Sequence, residues 1–484
     1  MDVETLVERY GEAVEARRAT VLVGAGLSIA AGYASWDGLL EPHRVQLGIP
    51  DDVVDLPLIA QYVENKEGGR ERLVEAVCKA IGSVTPSPTE NHRLLAQLPL
   101  DEIWTTNYDP LVEMVSSDAV VVELDVQFLS AGAVTRRVYK MHGSIRQGES
   151  TPVGGIDNLV LSKADFDQYE TRHPRLSRLL QAQILTKSFL FLGFSFSDPN
   201  FEAALKLVRL ATPDRLMDHF AIVRRQAGDG AMFDLRAEEL RRSGVNVLEI
   251  ADYDDATDVL RKLVARTRPS RLLVAGSQPG PLPVESESTS RYPAAALLDP
   301  GLQQIAEGLG RRLAHEGIRI TTASLLGATV GYALLDDLGD GYDPDRMMLV
   351  RRHKDEEVDP PNLRSGAITF IGEEPSTLRD SVFDQIRAVI VLGGGVGTLE
   401  EVARARERGM GVVPLACTGG TALAVWQEMV SDLSGRDLGG RPIDSEMFAN
   451  LNAGDPTSAI DAAVSLVRQA MYLPTEATTT LGSV

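Results

Sequence analysis

Short apolar runs alternate with stretches of helical spacing along the whole chain. In the first half the runs fall at 20–24, 102–106, 137–141, 188–194, 219–224 and 245–250. Runs of this length, bounded by turn residues, predict buried strands rather than helices. Between them, "FEAALKLVRLA" and "DATDVLRKLVART" carry the 3.6-residue period of amphipathic helices, as does the N-terminal segment over 3–18. The pattern breaks at "RTRPSRLLVAGSQPGPLP" and then begins again. "RLLVAGS" predicts a strand, "PGLQQIAEGLGRRLAHEG" a helix, "IRITTAS" a strand and "GATVGYALLDDL" a helix. "MMLVRR" and "AITFIG" predict two more strands, and "SVFDQIRAVIVLGGGVGTLEEVARARERG" reads helix, strand, glycine turn, helix. Strands alternating with helices predict doubly wound parallel sheets. The chain is therefore expected to be α/β, with two such domains in tandem, 1–268 and 269–484. Residues 280–292 read as a loop and 476–484 as a loose tail.

Composition narrows the function. The chain has 484 residues, 44% apolar and 24% charged, with a net charge of −21. Binding to a nucleic-acid backbone needs clustered Lys and Arg, so no nucleic-acid partner is expected. An anionic ligand must be held by local devices: backbone N–H groups, helix N-termini, single arginines. Two cysteines, Cys78 and Cys417, exclude a disulfide scaffold and a four-cysteine zinc site. No apolar run reaches the ~20 residues that span a bilayer, and the N-terminus does not read as a signal peptide. A cytoplasmic protein with no membrane partner is expected.

Candidate chemistry sits where strands end. "VLVGAGLSIAAGYASW" runs from a strand into Gly24, Ala25 and Gly26, then Ser28. Such a turn suits a phosphate, because glycine lets backbone approach closely. Alone, it is equally a tight turn without a ligand. "EIWTTNYDPLVE" places Thr105, Thr106, Asn107, Tyr108 and Asp109 at a second strand end. "VYKMHGSI" places His142 and Gly143 at a third, and "FLFLGFSFSDPNF" places Gly193, Ser195, Ser197 and Asp198 at a fourth. Ligands of doubly wound sheets bind at the carboxyl ends of strands, so these four ends converge on one crevice. Asn107 can hold a water through its amide, and His142 can accept a proton near neutral pH. Asn107 could instead cap a helix at 108–115, His142 could be a satisfied buried histidine, and Asp109 could orient its loop.

Together, "GAGLS", "TTNYD", the His-Gly of "KMHGS" and the strand end at 193–197 resemble the sirtuin fold over roughly residues 15–260. The resemblance implies a Rossmann-like domain that binds NAD and breaks the bond between nicotinamide and ribose. It implies Asn107 and His142 as catalytic residues. It also implies Gly24, Ala25, Gly26, Ser28, Thr106, Asp109, Gly193 and Ser195 as NAD-binding residues, with the pyrophosphate on the 24–28 turn and the nicotinamide ribose near Asn107 and His142. Deacylating sirtuins carry a four-cysteine zinc module that this chain cannot build, and the chain lacks an obvious counterpart of the acyl-peptide cleft. Water is then the acceptor, NAD the substrate rather than a cofactor, and no metal is expected.

In the second half, Gly393, Gly394, Gly395, Gly397, Thr398, Glu400 and Glu401 join a buried strand to a helix. The stretch resembles the Gly-Gly-x-Gly-Thr-x-x-Glu signature of lysine-decarboxylase-like phosphoribohydrolases and, more broadly, the SLOG superfamily. It departs from them in having Gly393 where proline is usual. Gly276 and Ser277 match that fold's first glycine-serine turn, and Arg379 stands about where those enzymes place an arginine. A sirtuin-like domain followed by a SLOG domain resembles the Thoeris anti-phage effectors. That arrangement implies an NAD hydrolase switched on by a cyclic ADP-ribose isomer. The implied signal site is Gly276, Ser277, Arg379, Gly394, Gly395, Gly397, Thr398 and Glu401. An unregulated NAD hydrolase would harm its own cell. Moving a switch from 1:99 to 99:1 takes ~5.5 kcal/mol of differential affinity. Linked sites supply this readily, so a homo-oligomer, tetramer or higher, is expected. Two other readings stay open: a non-catalytic NAD- or ADP-ribose-binding signalling module, and a phosphoribohydrolase in the C-terminal half.

Overall fold

The computed structural model describes residues 1–66, 69–116, 119–129, 136–196, 198–199, 201, 205, 217–225, 228, 230–280, 298–351, 366–370, 380–433 and 435–473. Ser197, Arg379 and most of the expected helix over 201–211 lie outside the described residues, as do 281–297 and the tail at 476–484. The backbone forms two compact units, Met1–Leu260 and Arg261–Val484. The division falls within a single helix, Tyr253–Thr267, somewhat before the break read at 268.

The first unit is built on seven strands: β1 (Ala19–Val23), β2 (Glu102–Thr105), β3 (Ala119–Val122), β4 (Arg136–Lys140), β5 (Ser188–Leu192), β6 (His219–Arg224) and β7 (Val245–Ile250). Their order is β3-β4-β2-β1-β5-β6-β7, and every pairing is parallel. β1 and β5 are buried along their whole length, which is why they read as unbroken apolar runs. Leu22, Trp104, Tyr139, Phe189 and Phe191 join the helix Pro174–Thr186 in the core through Leu176, Leu180 and Ile184. The register pairs Val23 with both Thr105 and Leu192, and Thr105 with Lys140. Four strands therefore end level with one another, and the residues that follow them meet.

Between β1 and β2 the chain inserts the helices Trp36–Leu47, Leu56–Lys66 and Arg70–Gly82. They share a second apolar core, containing Leu40, Ile59, Val63 and Val77, with Tyr33 and with Tyr108, Ile145 and Leu161 from the strand-end loops. The insertion is thus fastened over the carboxyl edge of the sheet.

The second unit has six strands: β8 (Arg271–Ser277), β9 (Arg319–Thr322), β10 (Met347–Arg351), β11 (Ala367–Phe370), β12 (Ala388–Gly393) and β13 (Gly411–Leu415). Their order is β11-β10-β9-β8-β12-β13, all parallel, with Ser277 opposite Gly393. Both halves are doubly wound parallel α/β domains, as the apolar runs predict. In both, the first strand's glycine turn lies beside the strand on the far side of the topological switch.

Candidate active site

The level strand ends of the first unit open into a cleft of about 690 Å³, within the range of small-molecule sites. Gly24, Ala25, Gly26, Ser28, Thr106, Asn107, Asp109, His142, Gly193 and Ser195 all line it. The structure therefore brings every one of these expected residues to a single crevice. Tyr33, Trp36, Leu56 and Pro57 of the inserted region close one side.

The glycines have a demand of their own. A Cβ at Gly24 would lie 2.5 Å from the Gly193 carbonyl oxygen, and one at Gly26 would lie 2.8 Å from Gly193 Cα. Gly193 has φ +61°, and a Cβ there would lie 2.3 Å from Leu27 N. The turn after β1 and the end of β5 thus touch backbone to backbone. The Gly24 amide donates to Leu192 O and the Gly26 amide to Gly193 O, each at 2.9 Å. Leu27 N donates to Gly24 O and Ser28 N to Ala25 O. Four of the turn's amides are thus spent inside the protein.

Asn107 is 6% exposed and tightly held. Its amide nitrogen Nδ2 donates to Gly24 O and to Ser28 Oγ, both at 3.0 Å, and its backbone N–H donates to Thr105 Oγ1 at 3.0 Å. A carbonyl only accepts, so the Gly24 bond decides which way the amide faces. Oδ1 is then turned away, buried and without a partner. A buried acceptor without a donor is costly unless a ligand or water supplies one. Asn107 does not cap the helix Leu111–Val115; Asp109 does that work, accepting from Leu111 N at 3.1 Å. The loop is held from below by Lys140, fully buried, whose Nζ donates to Glu113 Oε1 and to the carbonyl of Asp109.

His142 lies 2.9 Å through Nε2 from Asp198 Oδ2, with both side chains under a tenth exposed. The two atoms are close as an ion pair without being aligned as a hydrogen bond. Asp198 Oδ1 accepts from Phe201 N at 3.0 Å, which leaves Oδ2 for the histidine. The imidazole stands edge-on to Phe166, with centroids 5.3 Å apart, and to Tyr169 at 6.4 Å. Burial, with Asp198 and Asp125 nearby, pushes the Tyr169 hydroxyl well above its ordinary range. Burial lowers the basicity of the neighbouring His173. Tyr33, at the mouth, is pushed up to about 12, first by burial and then by Asp109 and Glu113. Phe196 adopts φ +58°, an uncommon conformation for a bulky residue, in the loop that delivers Asp198.

Among the lining residues that sequence reasoning missed are Arg224 at the end of β6 and Tyr253 after β7. The guanidinium of Arg224 sits 4.5 Å above the Tyr253 ring centroid. A run ending "VRR" gives no signal of which arginine turns inward.

A family profile described as a SIR2-like domain matches residues 101–248. The chain is 32% identical over 351 residues to the NAD(+) hydrolase ThsA of Enterococcus faecium, covering 68% of this chain and 69% of that protein. The chain belongs to the ThsA family of NAD(+) hydrolases. It is 28% identical over 483 residues to the ThsA of Acinetobacter baumannii, covering 92% and 94% of the two chains. It is also 27% identical over 235 residues to the Defense-associated sirtuin 2 of Bacillus subtilis, 45% of this chain and 22% of that protein.

In the second unit the structure gathers most of the expected signal site at the switch between β8 and β12. A Cβ on Gly276 would lie 1.9 Å from Leu392 O, and Gly394 N donates to Ser277 O at 2.6 Å. The Gly393 amide donates to Thr418 Oγ1 at 2.7 Å, and Thr421 Oγ1 donates to the Gly395 carbonyl at 2.9 Å. Gly395 caps the helix Val396–Glu407 without a side-chain bond, and Gly397 and Thr398 follow in its first turn. Glu401 lies one turn further along that helix, and Arg379 is outside the described residues. Among the described residues, no group of three or more His, Cys, Asp or Glu could hold a metal ion, and no helix is long and apolar enough to cross a membrane.

Proposed function

We propose that the first unit hydrolyses NAD+ to nicotinamide and ADP-ribose in this cleft. We also propose that the second unit binds a cyclic ADP-ribose-type nucleotide that turns the activity on, in defence against phage. The observation that carries the first part is the Asn107 amide, locked so that an unpartnered oxygen remains in the cleft that the His142–Asp198 pair also lines. Its relatives' names, NAD(+) hydrolase and defence-associated sirtuin, support the same chemistry.

Departure of nicotinamide breaks the ribose C1′–N bond and leaves an oxocarbenium-like ribose. Asn107 Oδ1 accepts a hydrogen from the attacking water or a ribose hydroxyl and so fixes its position. The water oxygen bonds C1′ and its proton passes to His142. With Nε2 turned to Asp198, Nδ1 is the nitrogen that takes it, and Asp198 stabilises the imidazolium that forms. NAD+ and water thus give nicotinamide, ADP-ribose and a proton. NAD+ is the substrate, and two cysteines cannot build the four-thiolate zinc module of the deacylating sirtuins.

For the second unit, the support is the open helix N-terminus at Gly395–Thr398 beside the Gly276–Ser277 turn, a placement that favours anions. A homo-oligomer would couple several such sites to the same switch. The test is nicotinamide release from NAD+ by the purified full chain, with and without cyclic ADP-ribose isomers. Release that depends on one isomer supports both parts. Release of free base from nucleoside monophosphates instead would favour a phosphoribohydrolase in the second unit. Binding of NAD+ without cleavage under every condition would favour a signalling module.

A further inference from the structure

We propose that Arg224 grips the pyrophosphate of the dinucleotide from across the cleft, supplying the cation that the glycine turn lacks. The inference rests on the reading of the cleft as an NAD+ site. Three observations carry it. The amides of Gly24, Gly26, Leu27 and Ser28 already donate within the protein, so beyond the Ala25 N–H and the Ser28 hydroxyl the turn has little left to offer two phosphates. Among the described residues that line the cleft, Arg224 is the single Arg or Lys, set against Asp37, Asp55, Asp109 and Asp198. A dianionic group entering this cleft has one cation to meet.

The third observation is the state of that cation. Its neighbour Arg225 is saturated by carboxylates, at 2.6 and 2.9 Å to Glu249 and 2.6 Å to Asp234. Among the described residues, no carboxylate pairs with Arg224. Its guanidinium rests on the face of Tyr253, and its Nε is buried without a hydrogen-bond partner. A buried N–H left unpaired in the free protein is repaid when a ligand pairs it. Stacking on an aromatic ring holds the planar fork in place without using its donors, and this suits bidentate binding of phosphate oxygens.

Position agrees. Ile222 on β6 pairs with Leu192 on β5, and Leu192 is level with Val23. Arg224 thus stands two interstrand spacings, about 10 Å, from the Gly24 turn. An arginine side chain and a pyrophosphate together fill that span. Asn107 and His142 lie on the other side of the turn, just past the ends of β2 and β4, where the scissile ribose would sit.

The test uses the full chain and direct calorimetric titration with three probes: ADP-ribose, 2′-phospho-ADP-ribose and adenosine. Arg224→Gln should weaken both ADP-ribose forms tenfold or more and leave adenosine within threefold, with unchanged melting. Arg224→Lys should recover part of the loss. In turnover, KM for NAD+ should rise at least tenfold while kcat stays within about threefold, the mark of binding energy shared by ground and transition states. Equal weakening of ADP-ribose and adenosine would overturn the proposal, because the contact would then be to the nucleoside. So would a loss confined to the 2′-phosphorylated probe, or no loss at all. A wild-type chain that binds adenosine but neither ADP-ribose form fails this proposal alone. One that binds none of the probes and leaves NAD+ intact removes the NAD+ reading itself, and the proposal with it.

Discussion

Asn107→Asp replaces one NH2 by an oxygen and changes almost nothing else, yet the geometry makes it a severe substitution. The nitrogen donates to Gly24 O and Ser28 Oγ, both at 3.0 Å, at a residue only 6% exposed. The Ser28 hydroxyl can turn and donate to a carboxylate, so that bond survives. The Gly24 carbonyl cannot, and it would face a carboxylate oxygen at close range. A lost buried bond costs about 1–3 kcal/mol, and the opposed oxygens add to it, for roughly 2–4 kcal/mol in all. For a unit of this size that is a fall in melting temperature of roughly 5–15 °C. A protonated Asp can donate where the carboxylate cannot, so the folded state raises the pKa of the introduced group. The destabilisation is then full above that raised pKa and is relieved as the pH falls through it. The melting difference between variant and wild type should therefore shrink below neutrality. The assay is calorimetric melting of both proteins at several pH values, with nicotinamide release from NAD+ on the same preparations. Turnover should drop at least 100-fold, as it does when a positioning group moves. A variant that melts within a degree of wild type at pH 8, or turns over NAD+ within threefold, would refute the orientation of the amide and the role built on it.

His142→Ala should abolish NAD+ cleavage, by about 10²–10⁴-fold, while circular dichroism stays native. Near-normal nicotinamide release would make it a structural histidine. Gly193→Ala should destabilise the first unit and lower soluble yield, because the left-handed φ is strained and its Cβ would meet Leu27 N at 2.3 Å; unchanged melting would contradict this close approach. Burial lowers His219 to about 4, and its Nδ1 accepts from Phe189 N. Its contribution is whole above pH 6.5 and is lost as the pH falls toward 4, about 3 kcal/mol in all. His219→Asn, which keeps an acceptor there, should flatten the acid limb of the melting curve. Arg379→Ala should keep basal NAD+ turnover and lose stimulation by the cyclic nucleotide, measured by nicotinamide release with and without it.

Much of the fold is legible because the central strands are buried on both faces. β1, β5 and β12 carry unbroken apolar runs, and their ends are marked by a sudden change to glycine and polar residues. The edge strand β3 is not marked, since three half-exposed residues and one buried one leave little to read. The cover over the cleft is also hidden. The helices between Trp36 and Gly82 look like ordinary amphipathic helices, and only the three-dimensional core they share with Tyr108 and Ile145 shows what they close. Of the site, the residues that follow the strands could be named, because parallel strand ends must converge. The pairings could not. His142 meets Asp198 across a long stretch of chain, and Arg224 faces inward while Arg225 faces outward, a distinction set by the pleat and by Tyr253.

The two glycine motifs show what such a pattern does and does not encode. In the first unit Gly24 and Gly26 are required because Gly193 lies against them. In the second, Gly276 is required because Leu392 O would sit 1.9 Å from its Cβ, and Gly394 leaves room for the Thr398 side chain. In each case the first strand's turn presses on the strand across the topological switch, so glycine is demanded by the fold before any ligand arrives. The same crossing creates the crevice, which is why the motif and the site coincide. The motif therefore reports where a ligand can bind; the side chains around it decide which ligand and what happens to it. Replacing these glycines would disturb the sheet first and the ligand second. Asn107, Asp198 and Arg224, whose polar atoms reach the cleft from firmly held backbone, are the positions at which chemistry can be separated from folding.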